Sequence, residues 1–158
     1  MSTLSMNTYH FVVKEEWTDY NNHLNDAEYA KIFSLALEEW IVDIGLDAEA
    51  REKYAYSLYV LETHLCYLQE VLEGEKLTVR LQLLDSDEKR THVIFLMENE
   101  KNELVATSEQ MLMGMDMTIK RPAPFPEPVA AYIEQLAEKQ KDLEPPKQAG
   151  SQIGIRRK

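Results

Sequence analysis

The sequence predicts an α+β fold in which an antiparallel sheet wraps around one long central helix. Three observations lead there. The segment from Tyr29 to Ile44 repeats its apolar residues at helical spacing. After Tyr56 the period changes to two, as it does along strands that bury one face. The alternating segments are joined by short turns, which only antiparallel neighbours allow.

Tyr9 to Val13 is a short run with β-branched residues and reads as the first strand. Trp17 to Asn25 is too rich in Asn and Asp for a regular element and reads as a loop. Asn25 can cap the helix that follows, and Glu28, three positions on, stands where a capping box needs it. Tyr29, Phe33, Ala36, Leu37, Trp40, Ile41 and Ile44 form the apolar side, and Gly45 supplies a stop. A short acidic stretch leads to a long strand from Tyr56 to Val71, a turn at Glu73-Gly74-Glu75 and a strand carrying Leu77, Val79, Leu81 and Leu83. Asp85 to Glu88 turns the chain again, and Thr91 to Met97 alternates as a further strand. Glu98 to Asn102 then turns into the last one, Leu104 to Met117. Met111, Met113, Met115 and Met117 share a face of that strand and are expected to be adaptable core. The proline-bearing run from Arg121 to Pro126 ends the sheet, since proline cannot serve in a central strand. Pro128 to Lys141 reads as a short amphipathic helix. Residues 1–144 are thus expected to form one domain, and 145–158, ending Arg156-Arg157-Lys158, a disordered tail. A sheet of this size around one helix leaves an edge exposed, so a homodimer or a larger assembly of dimers is expected.

Composition narrows the function classes. With 158 residues, 44% of them apolar and 28% charged, the chain suits one soluble globular domain. No apolar run approaches the ~20 residues that cross a bilayer, so no membrane partner is expected. Met1 to Thr8 is polar and lacks the order of a signal peptide. A single cysteine, Cys66, leaves no internal disulfide and no multi-cysteine metal site, and a reducing cytoplasm is expected. The formal net charge of −11 opposes nucleic-acid binding. No glycine-rich phosphate loop is present, so neither ATP nor a dinucleotide is indicated, and no cofactor or metal is expected.

Reactive side chains concentrate in one place: Asp19, Asn21, Asn22, His23, Asn25 and Asp26, just before the helix. A helix N-terminus offers unpaired N–H groups and partial positive charge, which suit an oxyanion forming on a thioester carbonyl. A carboxylate slightly upstream either attacks that carbonyl or deprotonates a water. Loops of this composition also cap helices without doing any chemistry, and the residues alone leave both readings open.

Trp17-x-Asp19-Tyr20-Asn21-Asn22-His23-Leu24-Asn25-Asp26-Ala27-Glu28-Tyr29 resembles the signature loop and helix start of the 4-hydroxybenzoyl-CoA-thioesterase-like family, whose fold is the hotdog, a sheet wrapped around a helix. Asp19 stands where that family has its catalytic aspartate. Asn22 stands where many members have glycine, and Trp17 where an acidic residue is common. The resemblance runs from about Tyr9 to Asp116. It is closer to the thioesterases of carnitine catabolism, through the loop, Tyr59-Val60-Leu61-Glu62-Thr63-His64 and Glu109-Gln110-Met111-Leu112. It implies hydrolysis of an acyl-CoA substrate, betainyl-CoA in that branch. It also implies an active site at the dimer interface, with Asp19 central, the Asp26 amide holding the oxyanion and His23 serving the loop's architecture.

A trimethylammonium group is held by aromatic faces with an acid nearby. Trp17, Tyr20 and Tyr59, together with Asn25 and His64, are the expected substrate contacts. Trp40, Tyr56 and Tyr67 are further aromatic candidates. Glu62 and His64, two apart, are expected to share a strand face with Val60 and Cys66, and Glu62 joins the catalytic set. A salt bridge for Glu62 and a structural role for His64 are the ordinary alternatives. Lys89, Arg90 and Arg121 are the expected CoA-phosphate contacts, although turn lysines and arginines are often merely solvated. Two other functions compete: a non-catalytic module binding an acyl-CoA or a quaternary ammonium, and an enoyl-CoA hydratase. The hydratase loop usually has one more residue and a proline in the Asp19–His23 interval, both absent here.

Overall fold

The computed structural model describes residues 6–157. Met1 to Ser5, part of the polar N-terminus, and Lys158, the last residue of the expected tail, lie outside them. The elements follow the order β1 (Asn7–Val12), a 3-10 turn (Glu15–Trp17), α1 (Asp26–Asp43), α2 (Ala48–Tyr54), β2 (Tyr56–Tyr67), β3 (Lys76–Ser86), β4 (Arg90–Glu98), β5 (Leu104–Asp116), β6 (Arg121–Pro122) and α3 (Glu127–Gln140). The sheet has the strand order β1-β3-β4-β5-β2, all antiparallel, and β6 pairs with β5 where β4 has ended.

The helix lies across the inner face of this curled sheet, the hotdog arrangement. Ile32, Phe33, Ala36 and Trp40 are almost entirely excluded from solvent, as are Val79, Leu81, Val93, Phe95, Ala106 and Leu112 opposite them. The Phe33 and Phe95 rings sit 6.2 Å apart. Burying side chains of this size stabilises by about 1.5–3 kcal/mol each, so the helix and the inner sheet face hold one another. Gly45 ends α1 with φ +103°, a conformation that costs glycine nothing. From α3, Val129, Ile133 and Leu136 close the core near the helix C-terminus. Among the described residues no helix is long and apolar enough to cross a membrane.

Several local expectations need correction. The acidic stretch contains a helix, α2, capped by Asp47, whose Oδ1 accepts the Ala50 N–H at 2.8 Å. The capping box at α1 is only half made. Asn25 Oδ1 accepts the Ala27 N–H at 3.0 Å, but the Asn25 N–H goes to Trp17 O and not to Glu28. Strand β2 stops at Tyr67 rather than Val71, because Leu68 and Gln69 both donate to Val105 O and the ladder ends there. The methionine stripe is not core. Gln110, Leu112 and Gly114 turn inward, so Met111, Met113 and Met115 lie half-buried on the outer face and Met117 is exposed. Finally, a bulge between Val60 and Glu62 reverses the alternation. Val60 pairs with inward Leu112, while Glu62 pairs with outward Met111 and His64 with outward Glu109. Glu62 and His64 therefore share a face with each other and not with Val60.

Residues 145–157 carry no regular element. Gln148 is buried, and the Gly150 N–H donates to Glu109 Oε1 at 2.8 Å, laying this segment against the outer face of the sheet.

Candidate active site

The loop between the 3-10 turn and α1 is tied at both ends. Trp17 is buried, and its carbonyl accepts the Asn25 N–H at 3.0 Å; Leu24, also buried, donates its N–H to Val71 O at 2.7 Å. Between them the chain folds into a tight hairpin. Asp19 N–H donates to His23 O and Asn22 N–H to Asp19 O, both at 2.9 Å. Asn22 closes the turn with φ +61°, the left-handed region that asparagine enters more readily than most residues. The loop thus keeps with asparagine the conformation that glycine adopts freely.

The Asp19 side chain, half-buried, folds back over this turn. Its Oδ1 accepts the N–H of Asn21 at 2.8 Å and of His23 at 3.2 Å. Among the described residues Oδ2 has no hydrogen-bond partner. The turn thus orients the carboxylate through one oxygen and leaves the other available. Just downstream, the Asp26 N–H, the first of α1, has no acceptor among the described residues. It carries the partial positive charge of a helix start. A free carboxylate oxygen and a free helix-terminal N–H on one short segment can serve the two ends of a carbonyl addition, attack and oxyanion.

Aromatic side chains brace the helix start. Tyr67 donates its hydroxyl to Asp26 O at 3.3 Å and stacks edge-on against Tyr29, with ring centroids 5.1 Å apart. Burial raises the hydroxyl pKa of both, helped by the charges of Glu70 and Glu75 for Tyr29 and of Asp26 for Tyr67. Both therefore remain donors, Tyr29 toward Gln69 O at 3.0 Å. His23 Nε2 lies 3.4 Å from Glu70 Oε2. Glu70 carried no motif in the sequence; it meets His23 only because the chain after β2 returns alongside the loop, where His23 and Leu72 form a bridge.

Beside this cluster a chamber of about 580 Å³ runs between α1 and β2, lined by Ala30, Ser34, Val60, Thr63, Tyr67 and Gln110 among others. Gln110 is 5% exposed, its Nε2 donates to Ser108 Oγ at 3.0 Å, and its Oε1 has no partner among the described residues. Sequence reasoning missed Gln110. The available signal was a glutamine in register with inward-facing Leu112.

The other expected contacts disperse. Trp17 packs in the core, with Lys14 Nζ 5.1 Å and Lys31 Nζ 5.8 Å from its ring centroid, so lysines already occupy its surroundings. Tyr20 is 94% exposed. Trp40 is core, and the Tyr56 hydroxyl donates to Ala123 O at 2.6 Å. Glu62 is exposed mid-strand, with no partner among the described residues. Among the described residues His64 meets only Cys66 Sγ, at 3.9 Å. Tyr59 pairs with Met113 and Tyr67 with Ala106, which separates the two tyrosines by about 25 Å at ~3.3 Å per residue. Lys89, Arg90 and Arg121 lie at the Tyr59 end of the sheet, opposite the Asp19 loop, and Arg90 is bound to Asp87 at 2.5 Å. The chain therefore gathers Asp19, His23, Asn25 and Asp26 with Tyr67 at one end of β2 and leaves Tyr59, Lys89, Arg90 and Arg121 at the other.

Known proteins resemble this one over nearly the whole chain. Residues 13–133 match the model of the thioesterase-like superfamily. The chain is 42% identical over 151 residues to the betainyl-CoA thioesterase of Pseudomonas aeruginosa, covering 95% of each. It is 34% identical to the L-carnitine dehydrogenase/betainyl-CoA thioesterase of Rhizobium meliloti, covering 92% of this chain and 29% of that longer protein. Among solved structures, a Staphylococcus aureus protein in complex with CoA superposes with a TM-score of 0.91 at 35% identity, covering 96% of each chain.

Proposed function

The chain belongs to the thioesterase-like superfamily, and from that premise we propose that it hydrolyses a small acyl-CoA thioester to the free acid and CoA, with betainyl-CoA as its substrate. The observation that carries this reading is the Asp19 carboxylate, oriented by two backbone N–H groups immediately ahead of the unpaired Asp26 N–H.

Asp19 Oδ2 is the reacting oxygen. It adds to the thioester carbonyl, or takes a proton from a water that adds; either way the carbonyl oxygen gains negative charge and the Asp26 N–H receives it. Collapse of the tetrahedral species breaks the C–S bond and releases CoA as thiolate; where water has added, the free acid is left directly, and where Asp19 has added, a mixed anhydride is left that a water then hydrolyses, freeing the acid and restoring the carboxylate. His23 gives its backbone N–H to Asp19, so its contribution is to hold the carboxylate.

The site is completed by a second copy of the chain. Strand β2 is a free edge on which Tyr59, Val60, Leu61 and Tyr67 are 42–51% exposed. Unpaired edges carrying apolar side chains are templates for pairing. Antiparallel pairing of two such edges sets the Tyr59 end of one subunit beside the Asp19 end of the other. It brings Tyr59, Lys89, Arg90 and Arg121 from the far end to the acyl-CoA, and with them the positive charge that a chain of net charge −11 must concentrate locally to hold CoA. A cytoplasmic setting accords with the single free thiol, Cys66.

Thiol release from betainyl-CoA, acetyl-CoA, 4-hydroxybenzoyl-CoA and a medium-chain acyl-CoA tests the reading. A kcat/KM at least tenfold higher for betainyl-CoA, about 1.4 kcal/mol of transition-state discrimination, supports the substrate. Turnover without preference leaves a thioesterase of another substrate, and no turnover of any of the four by folded protein removes the proposal.

A further inference from the structure

Three polar side chains interrupt the apolar inner face of the sheet at one place. Ser108 and Gln110 follow one another on the inward side of β5, between Ala106 and Leu112 of the core. Thr63 stands directly across from Gln110 on β2, because the bulge that sends Glu62 outward turns Thr63 inward. On the other side Gln110 pairs with Val93 and Ser108 with Phe95, both fully buried. The bond from Gln110 Nε2 to Ser108 Oγ uses one end of the carboxamide and leaves Oε1 unpaired among the described residues. Burial strips such groups of their water, so a polar side chain at a core position is held there by a partner or by a task. Strand β5 is paired on both sides, by β4 and β2, so a second copy pairing at the outer edge of β2 leaves Gln110 and Ser108 where they are.

All three side chains line the chamber beside α1, and Ser34 enters it from the helix. Asp26, Ala30 and Ser34 are spaced at single helical turns and share one stripe of α1, the last two lining the chamber. Ala30 and Ser34 lie about 6 and 12 Å along the helix axis from Asp26. A short acyl group whose carbonyl is held at the Asp26 N–H therefore extends its far end into this chamber. No Asp, Glu, Lys or Arg lines the chamber among the described residues, so that far end meets neutral oxygens.

We propose that Gln110, supported by the hydroxyls of Thr63 and Ser34, is the specificity-determining acceptor for a cationic acyl head, the trimethylammonium of a betainyl group. Such a head has no N–H to donate. Its methyl C–H groups are polarised by the charge, and neutral oxygens turned toward them stabilise the cation without a formal counter-ion. Oε1 lies just under the chamber wall, and the soft last torsion of glutamine lets it turn toward an arriving head. A carboxylate at this position would also hold a cation, but it would set a negative charge near the oxyanion forming at Asp26. An uncharged head of the same shape leaves Oε1 buried and unpaired, so discrimination lies in the charge. The role of Gln110 rests on the reading of the chain as a betainyl-CoA thioesterase whose acyl group enters the inner chamber.

The test uses the full chain with betainyl-CoA and 3,3-dimethylbutyryl-CoA, in which carbon replaces the quaternary nitrogen and the shape is kept. Thiol release gives kcat/KM for each in wild type and in Gln110→Met, which keeps the side chain's length and removes its oxygen. Wild type is expected to favour betainyl-CoA by about tenfold or more. Gln110→Met is expected to lower that ratio by about fivefold or more, losing rate with the cation and little with the neutral ester. Should Gln110→Met fail to fold, Gln110→Leu is measured in the same way. A merely structural Gln110 would depress both esters alike, and an unchanged ratio in a folded variant overturns the role of Gln110 alone. Wild type that hydrolyses the two esters equally overturns the cationic head and the betainyl assignment together, and leaves a thioesterase. Hydrolysis of neither ester overturns the thioesterase reading as well.

Discussion

Asp19 Oδ1 accepts the backbone N–H of Asn21 at 2.8 Å, so the turn itself sets the direction of the reactive carboxylate. That turn closes through Asn22 at φ +61°. Asn22→Gly is expected to keep both stability and kcat, because glycine enters this conformation freely. Asn22→Val is expected to cost about 1–2 kcal/mol in urea denaturation and to lower kcat, since the strain is relieved only by moving Asp19.

In the proposed assembly the free edge of β2 is the pairing surface. Leu61→Arg places a charge among exposed apolar neighbours of that edge, where Leu61 is itself 51% exposed. Sedimentation is expected to show wild-type dimers or larger species, Leu61→Arg monomers, and thiol release lost along with the assembly. A fully active wild-type monomer would contradict the shared site.

Gly114 is required by its neighbour across the strand pair. A Cβ at Gly114 would lie 1.7 Å from the Tyr56 hydroxyl oxygen, which is fixed by its bond to Ala123 O. Gly114→Ala is expected to destabilise by about 1–3 kcal/mol, lowering Tm by several degrees. The same change is expected to cost less in a Tyr56→Phe background, where the closest atom is gone.

One surface carboxylate makes stability depend on pH. The Arg90 side chain, with the N–H groups of Lys89 and Arg90, holds Asp87 down to about 2, below its ordinary 3.8. A folded pKa below the unfolded one stabilises above the unfolded value, and the contribution is lost as pH falls through the folded value. The pair is solvent-exposed, so Asp87→Asn is expected to cost no more than about 1 kcal/mol at pH 7. Comparing urea denaturation of wild type and variant should show that difference narrowing below pH 4 and closing toward pH 2.

Where the chain buries one face of an element, its sequence displayed the element. The helical repeat from Tyr29 to Ile44 and the alternation through Leu77–Leu83 and Thr91–Met97 each follow from a side-chain period imposed by the shared core. Helix α2 buries none of its residues, so it has no apolar period to show. The β2 bulge was equally hidden, because an extra residue is visible only in the register with β5, and it carried Glu62 to the outer face. Within the site, the Asp19 loop and the cap at Asn25 were legible because their interactions are local in sequence. The Glu70–His23 contact and the inward position of Gln110 depend on strands that return from far along the chain, so neither could be read from spacing.

The most direct measurement is the rate of thiol release from betainyl-CoA by Asp19→Asn beside wild type. Asparagine retains an oxygen to accept the Asn21 and His23 N–H groups, so the loop, the fold and CoA binding should persist. The amide can neither attack the carbonyl nor take a proton from water, and kcat should fall by a factor on the order of a thousand or more. A folded Asp19→Asn that turns over within about tenfold of wild type would contradict the assignment of the chemistry to Asp19.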